Sequence, residues 1–340
     1  GYERRGPETV AFGVSASDIN AVGADVDGDG ADELVMTLVQ DSGVLVWVLE
    51  WSASEADWTL ETSYETTLTR SLDAPAYTAL DAGRSDYDRA EEVVVVVSEI
   101  ADEESGLSRY HVLDPKDGSF SVVASDVVSG RTDVGQTREA LVADVSLGDI
   151  DGDGLEELVF AGLENISSGG GCKSFGHVLQ ALDDVQAGLT ELGASYFSHF
   201  FNNCPSFSAW RLRYVHVNTP DLDGDGVHEI QANQFFYDDF VAGAFVSLEG
   251  VSLPEYGWFD RSTSSIEVAD VTNDGRDNIV YYAQNDNDMY VWGIDELGEW
   301  SRMTSIPVEF VNAQRAQNPR LVPVNVDADG PVLKYSEGEY

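Results

Sequence analysis

Acidic side chains spaced two residues apart recur along this chain in a form suited to holding a metal ion. The first set is Asp25-Val26-Asp27-Gly28-Asp29-Gly30-Ala31-Asp32-Glu33. It returns at 149–157 and 221–229, and more loosely at 270–278. Oxygen-bearing side chains stand at positions 1, 3, 5 and 9 of each nonapeptide. They are Asp25, Asp27, Asp29 and Glu33, then Asp149, Asp151, Asp153 and Glu157. The later copies have Asp221, Asp223, Asp225 and Glu229, then Asp270, Thr272, Asp274 and Asn278. Alternate side chains of such a loop point inward, and glycine at position 6 permits the sharp reversal. The position-7 carbonyl, of Ala31, Leu155, Val227 or Arg276, joins them. Calcium takes six to eight oxygens in flexible geometry and suits this donor set better than magnesium does. About four structural calcium sites are expected on this count. A further loop at 325–333 has Asn325, Asp327 and Asp329 but Leu333 at position 9, so it is one side chain short and weak.

An EF-hand shares the first six positions but needs a bidentate glutamate at position 12 and flanking helices. Position 12 here is Met36, Phe160, Ala232 or Tyr281. Each loop runs instead into a short β-branched or aromatic segment, such as Leu34-Val35-Met36 or Ile279-Val280-Tyr281-Tyr282, which reads as a strand. The loops therefore join strands.

Around the first loop the pattern is strand, metal loop, strand, turn, strand, turn, strand. Four strands in about fifty residues make one propeller blade. Six such units are recognisable, so the chain reads as all-β, a propeller of four-stranded antiparallel blades in one domain over 1–340. The sixth unit holds two strands, residues 1–13, through a segment such as 10–13, could supply a third and one is still missing, so the last blade reads as incomplete or as continued by sequence beyond Tyr340, and six or seven blades are both compatible. The first residue is Gly, which suggests an upstream segment that was removed.

The second unit keeps its strands but has Arg84 at position 1 and Arg89 at position 6, with Asp86, Asp88 and Glu92 at 3, 5 and 9. Arg84 is expected to stand in for the ion by pairing with those carboxylates. In the third unit, residues 162–209 read as an insertion bearing Cys172 and Cys204, a candidate disulfide, two free thiols being the alternative. Long loops on a rigid scaffold are candidate recognition surfaces. Asn165-Ile166-Ser167 is a glycosylation sequon. Tryptophans 47, 58, 292 and 300 fall in strands, where packing between blades is the simplest role.

Phe12-Gly13 followed by the first loop and Leu34-Val35 resembles the FG-GAP repeat of integrin α-subunit propellers and the related VCBS repeats. Later units lack the Phe-Gly element, so the match is nearer to diverged bacterial secreted members. The resemblance implies a propeller, calcium at the matched positions, and an extracellular or cell-surface setting, the periplasm included.

The formal charge of −44 disfavours nucleic acid and anionic membrane surfaces as partners. No apolar run is long enough to insert in a bilayer. Lysine occurs only at 116, 173 and 334, which fits a saline source or an acidic secreted proteome. The loop acids are used as ligands, and the histidines are scattered. No nucleophile elbow, zinc spacing or phosphate loop is present. His228, at loop position 8, is expected to face solvent or pack, and His216 to be a hydrogen-bonded strand histidine. The expected function is a calcium-binding extracellular scaffold for protein or glycan ligands, as in adhesion, without catalysis. The alternative is a polysaccharide-active lyase or hydrolase, or its non-catalytic carbohydrate-binding module.

Overall fold

The computed structural model describes residues 18–52, 57–101, 106–116, 118–131, 136–167, 173–185, 188–199, 215–236, 240–246, 263–272, 274–283, 288–294, 300–307, 320–324 and 332–336. The expected strand at 10–13, the weak loop of Asn325, Asp327 and Asp329, and both Cys172 and Cys204 lie outside these residues.

All described elements are strands. The first blade is β1 (Ile19–Ala24), β2 (Glu33–Gln40), β3 (Gly43–Ser52) and β4 (Asp57–Leu68). The second is β5 (Ala76–Gly83), β6 (Glu92–Ile100), β7 (Gly106–Lys116) and β8 (Ser119–Val127). A small ribbon of β9 (Ser129–Arg131) and β10 (Thr137–Glu139), not foreseen in the sequence, follows it. The third blade is β11 (Val142–Gly148), β12 (Glu157–Ser167), β13 (Lys173–Leu182) and β14 (Glu191–His199). The fourth has β15 (Val215–Asn218), β16 (Ile230–Phe236) and β17 (Phe240–Val246). The fifth has β18 (Thr263–Ala269), β19 (Asn278–Ala283), β20 (Asp288–Ile294) and β21 (Trp300–Pro307). The sixth has β22 (Arg320–Val324) and β23 (Val332–Ser336). Every pairing is antiparallel between chain neighbours, as short turns dictate.

The innermost strands β1, β5, β11, β15, β18 and β22 each contact the next, and β22 contacts β1, so among the described residues the ring closes as a propeller of six blades, the sixth with two described strands. Polar side chains fasten this inner wall. The Asp18, Asp81 and Asp144 carboxylates accept the amides of Thr78 (2.9 Å), Leu147 (2.8 Å) and Val217 (3.0 Å), each on the next inner strand. His216 is hydrogen-bonded as expected, its Nδ1 2.6 Å from Asp144.

A blade is sandwiched between two others, so both faces of its middle strands are buried, and strict apolar–polar alternation is lost. In β6, Val93, Val95 and Val97 pack with Val35, Val44, Val46 and Val48 of the first blade. Val94 and Val96, pointing oppositely, pack with Val145, Leu158 and Phe160 of the third. Val159 and Ala161 then meet Val217 and Ile230 of the fourth. Trp47 is buried with Leu38 and Leu49, whereas Trp292 is half-buried. The insertion expected from Gly162 onward is in part a hairpin extension. Residues 162–167 continue β12, paired with 173–178 of β13 (Gly162 opposite Val178, Ser167 opposite Lys173).

Phe160 is fully buried at the seam of the second and third blades, its ring centroid 4.8 Å from that of Tyr110. Phe160→Ala is expected to cost about 3–5 kcal/mol through lost burial and the cavity left behind. The shift in urea midpoint at constant m-value measures it.

Candidate metal centres

Each acidic nonapeptide links the innermost strand of a blade to the second, so the loops gather at one end of the ring. Backbone amides aim the side chains. In the first loop, Asp25 accepts from the amides of Asp29 (2.9 Å) and Gly30 (2.9 Å), Asp27 from Asp29 (3.0 Å), and Asp29 from Ala31 (2.9 Å). Glu33, on the far side, accepts from Val26 at 3.1 Å. The third-blade loop repeats this from Asp149 to Glu157, and the fourth-blade loop from Asp221 to Glu229. Position 6 takes the left-handed backbone in all of these, at φ +95° for Gly30, +93° for Gly154 and +88° for Gly226. A side chain there would be strained.

Asp25, Asp27 and Asp29 offer oxygens within 4.8 Å of one another, as do Asp221, Asp223 and Asp225. In the third blade Glu157 joins Asp149, Asp151 and Asp153 within that distance. Glu33 and Glu229 fall outside these tight groups, although each lies in the field of its loop aspartates. Among the described residues these clusters can hold a metal ion, and an all-oxygen donor set selects a hard cation. One atom tests the fit. Glu157 is fully buried, its Oε2 accepts the Ile150 amide at 2.7 Å, and its Oε1 has no hydrogen-bond partner. A buried carboxylate oxygen without a donor is costly unless a proton or a cation meets it. Burial foremost, with repulsion from the loop aspartates, pushes Glu33 up to about 8 and Glu157 to about 7.

The fifth-blade loop is built differently. Asp270 accepts the amides of Asp274 (3.2 Å) and Gly275 (2.8 Å), and Asp274 that of Arg276 (3.2 Å). Asn278 Oδ1 already receives the amides of Val271 and Thr272 and the Thr272 hydroxyl. With two carboxylates and two neutral oxygens engaged with each other, this loop offers a cation less charge.

Two features escaped the sequence reading. The first is position 8, occupied by Asp32, Glu91, Glu156, His228 and Asp277. From the second blade to the fifth, its amide donates to the position-1 carbonyl of the preceding blade. These bonds are Glu91 to Asp25 (2.9 Å), Glu156 to Arg84 (2.9 Å), His228 to Asp149 (2.7 Å) and Asp277 to Asp221 (2.8 Å). Three of the side chains return the bond by accepting the position-1 amide, through Glu91 Oε2 (3.1 Å), His228 Nδ1 (3.1 Å) and Asp277 Oδ2 (3.0 Å). His228 Nδ1 therefore accepts at a seam between loops, the packed of the two placements expected from the sequence. A polar residue at position 8 of the first five copies was the available signal. The second feature is Asp183 and Asp184, just past β13, which cluster with Glu157. Asp183 follows Leu182, the partner of Leu158, and so comes opposite Glu157.

Arg84 also reaches acids that the sequence did not assign to it. It is exposed, and its charge acts on Glu91 and Glu156. Burial first, then the charges of Glu91 and Asp81, raises Glu156 to about 8. Burial likewise lifts Glu91 to about 7 and Asp81 to about 6.

No protein-family model matches the chain, and no curated protein is similar enough to count as a relative. Among solved structures it is similar to the SapL1 lectin in complex with alpha methyl fucoside, at 11% identity over 94% of this chain and 89% of that one, with a TM-score of 0.46. A protein from Lactobacillus plantarum is 13% identical over 95% of this chain and 88% of its own, at a TM-score of 0.38. A putative 6-phosphogluconolactonase from Bacteroides uniformis is 12% identical over 96% and 90%, at 0.39. At these scores the ligands and activities of those proteins say nothing of this one.

Proposed function

We propose that this chain is a calcium-stabilised propeller of the FG-GAP/VCBS type, nearest to the bacterial secreted members, serving outside the cytoplasm as a non-catalytic scaffold that binds a protein or glycan. Calcium is the ion of choice because the loops of the first, third and fourth blades offer three or four carboxylates each in adaptable geometry. The observation that carries the reading is the buried Oε1 of Glu157, without a partner beside Asp149, Asp151 and Asp153. A dication there offsets the repulsion that otherwise falls on protonation. The ions are structural, since the loop oxygens are committed to ligation and to backbone amides. A glycan array run with a lyase and hydrolase assay tests the binding role: ligand capture without turnover supports it, and turnover overturns it.

Ions that bind only the folded state add stability by mass action, about 2.7 kcal/mol per site at a hundredfold excess over Kd. Excess chelator is therefore expected to lower the melting temperature by about 10 °C or more. Calorimetry with and without calcium measures this, and an unchanged melt would falsify structural calcium.

The pH dependence follows from the same acids. A carboxyl raised from its ordinary 4.5 to about 7 or 8 on folding, as at Glu157, Glu33 and Glu156, favours the folded state while protonated. That contribution is complete below about pH 4.5 and is lost as pH climbs through about 7 to 8. In chelator, the melting temperature is expected to fall as pH is raised from about 5 to about 8. With calcium in excess the slope flattens, because the cation replaces the proton. Identical slopes in the two series would contradict this.

A further inference from the structure

The second-blade loop departs from the repeat by having Arg84 at position 1, Tyr87 at position 4 and Arg89 at position 6. Neither Tyr87 nor Arg89 has positive φ, so the left-handed turns of the other loops are absent here. Its acids nevertheless converge. Asp86, Asp88 and Glu92 offer oxygens within 4.8 Å of one another. Asp86 accepts from the Asp88 amide (2.7 Å) and Asp88 from Ala90 (2.9 Å), as at the same positions of the complete loops.

Glu92 supplies the independent observation. It is 1% exposed, and its Oε2 accepts both the amide and the hydroxyl of Ser85, each at 2.8 Å. That leaves Oε1 buried with no hydrogen-bond partner. No other loop shares this atom, so an ion in the third blade does not account for it. The charge of Arg84 acts on Glu91 and Glu156, and Arg89 packs against Gly28 of the first blade. A fourth acid comes from the neighbouring strand, where Asp114 follows Leu113, the partner of Val93, and so lies opposite Glu92. Asp114 stands in the field of Asp86 and Asp88, with Lys116 partly offsetting it.

We propose that the second-blade loop is a fifth cation site, in which Asp86, Asp88 and Glu92 hold a hard divalent ion and Asp114 adds to the negative field that position 1 no longer supplies. With one ligating carboxylate fewer, it binds about tenfold or more weakly than the Asp149 loop, since charge count tunes such sites. The proposal does not depend on ions in the other loops.

Crystals of the full chain grown with strontium or terbium test it through anomalous difference maps. A peak among Asp86, Asp88 and Glu92 is expected. Peaks at Asp25, Asp149 and Asp221 with none here overturn the inference and leave the structural-calcium reading standing. A peak here with the other loops bare supports the inference and overturns that reading. In solution, native mass spectrometry with calcium is expected to show one ion fewer for Glu92→Gln, which is isosteric with a protonated glutamate. Asp88→Asn, at an exposed position, gives the same readout should the buried variant fail to fold. An unchanged ion count in the folded variant overturns the proposal.

Discussion

Like charges drawn into tight turns are the constraint that shapes this molecule. A strand-to-strand loop of nine residues that carries four acids folds only if something other than water meets those oxygens. Backbone amides meet both oxygens of the position-1 aspartate and one oxygen of each of the other acids, which is why the loops are so regular. Asp25 takes two amides, Asp27 and Asp29 take one each, and Glu33 reaches back to Val26. The amides are neutral donors and cannot cancel the charge. The remaining electrostatic cost falls on the most enclosed acids, and burial together with the neighbouring aspartates raises Glu33, Glu92 and Glu157 well above the usual carboxylate range.

The loops are also joints between blades. A blade buries both faces, and the apolar burial between blades is non-directional and does not by itself set their register. Position 8 fixes it. Its amide and side chain grip the position-1 residue of the preceding blade, at the place where an ion would be held. Asp25, for example, has its carboxylate in its own cradle, while its carbonyl and amide belong to Glu91 of the next blade. A change at one cradle therefore reaches the adjoining blade through a single residue. The inner-wall aspartates at 18, 81 and 144 repeat the device along the strands.

How much of this was legible in the sequence depended on whether a feature was local. The strands around each loop could be read because the five-valine run 93–97 has no other home than a doubly buried strand. The loop ligands could be read because their spacing is set within nine residues. What could not be read lies between blades. Nothing in the spacing of Glu91 or His228 says that its partner is 66 or 79 residues away. Asp183 and Asp114 come opposite position-9 glutamates only through the register of a hairpin. The charge of Arg84 likewise reaches Glu156, an acid of the next blade.

Separating these levels explains why the second loop retains its acids. Arginine at position 1 would be expected to end selection for a cradle, leaving Asp86, Asp88 and Glu92 without a role. Glu92 nonetheless has to begin β6 and tie Ser85 down, and Glu157 begins β12 and ties Ile150 in the same way. The position-9 acid thus has two jobs, closing the turn with one oxygen and facing the cradle with the other. Closing the turn alone would be served by glutamine, which brings no buried charge. Asn278 does that work in the fifth blade, where its Oδ1 gathers three donors and the cradle holds two carboxylates. Glu92 and Glu157, fully enclosed and each with one oxygen unmet, carry a charge that closing the turn does not need.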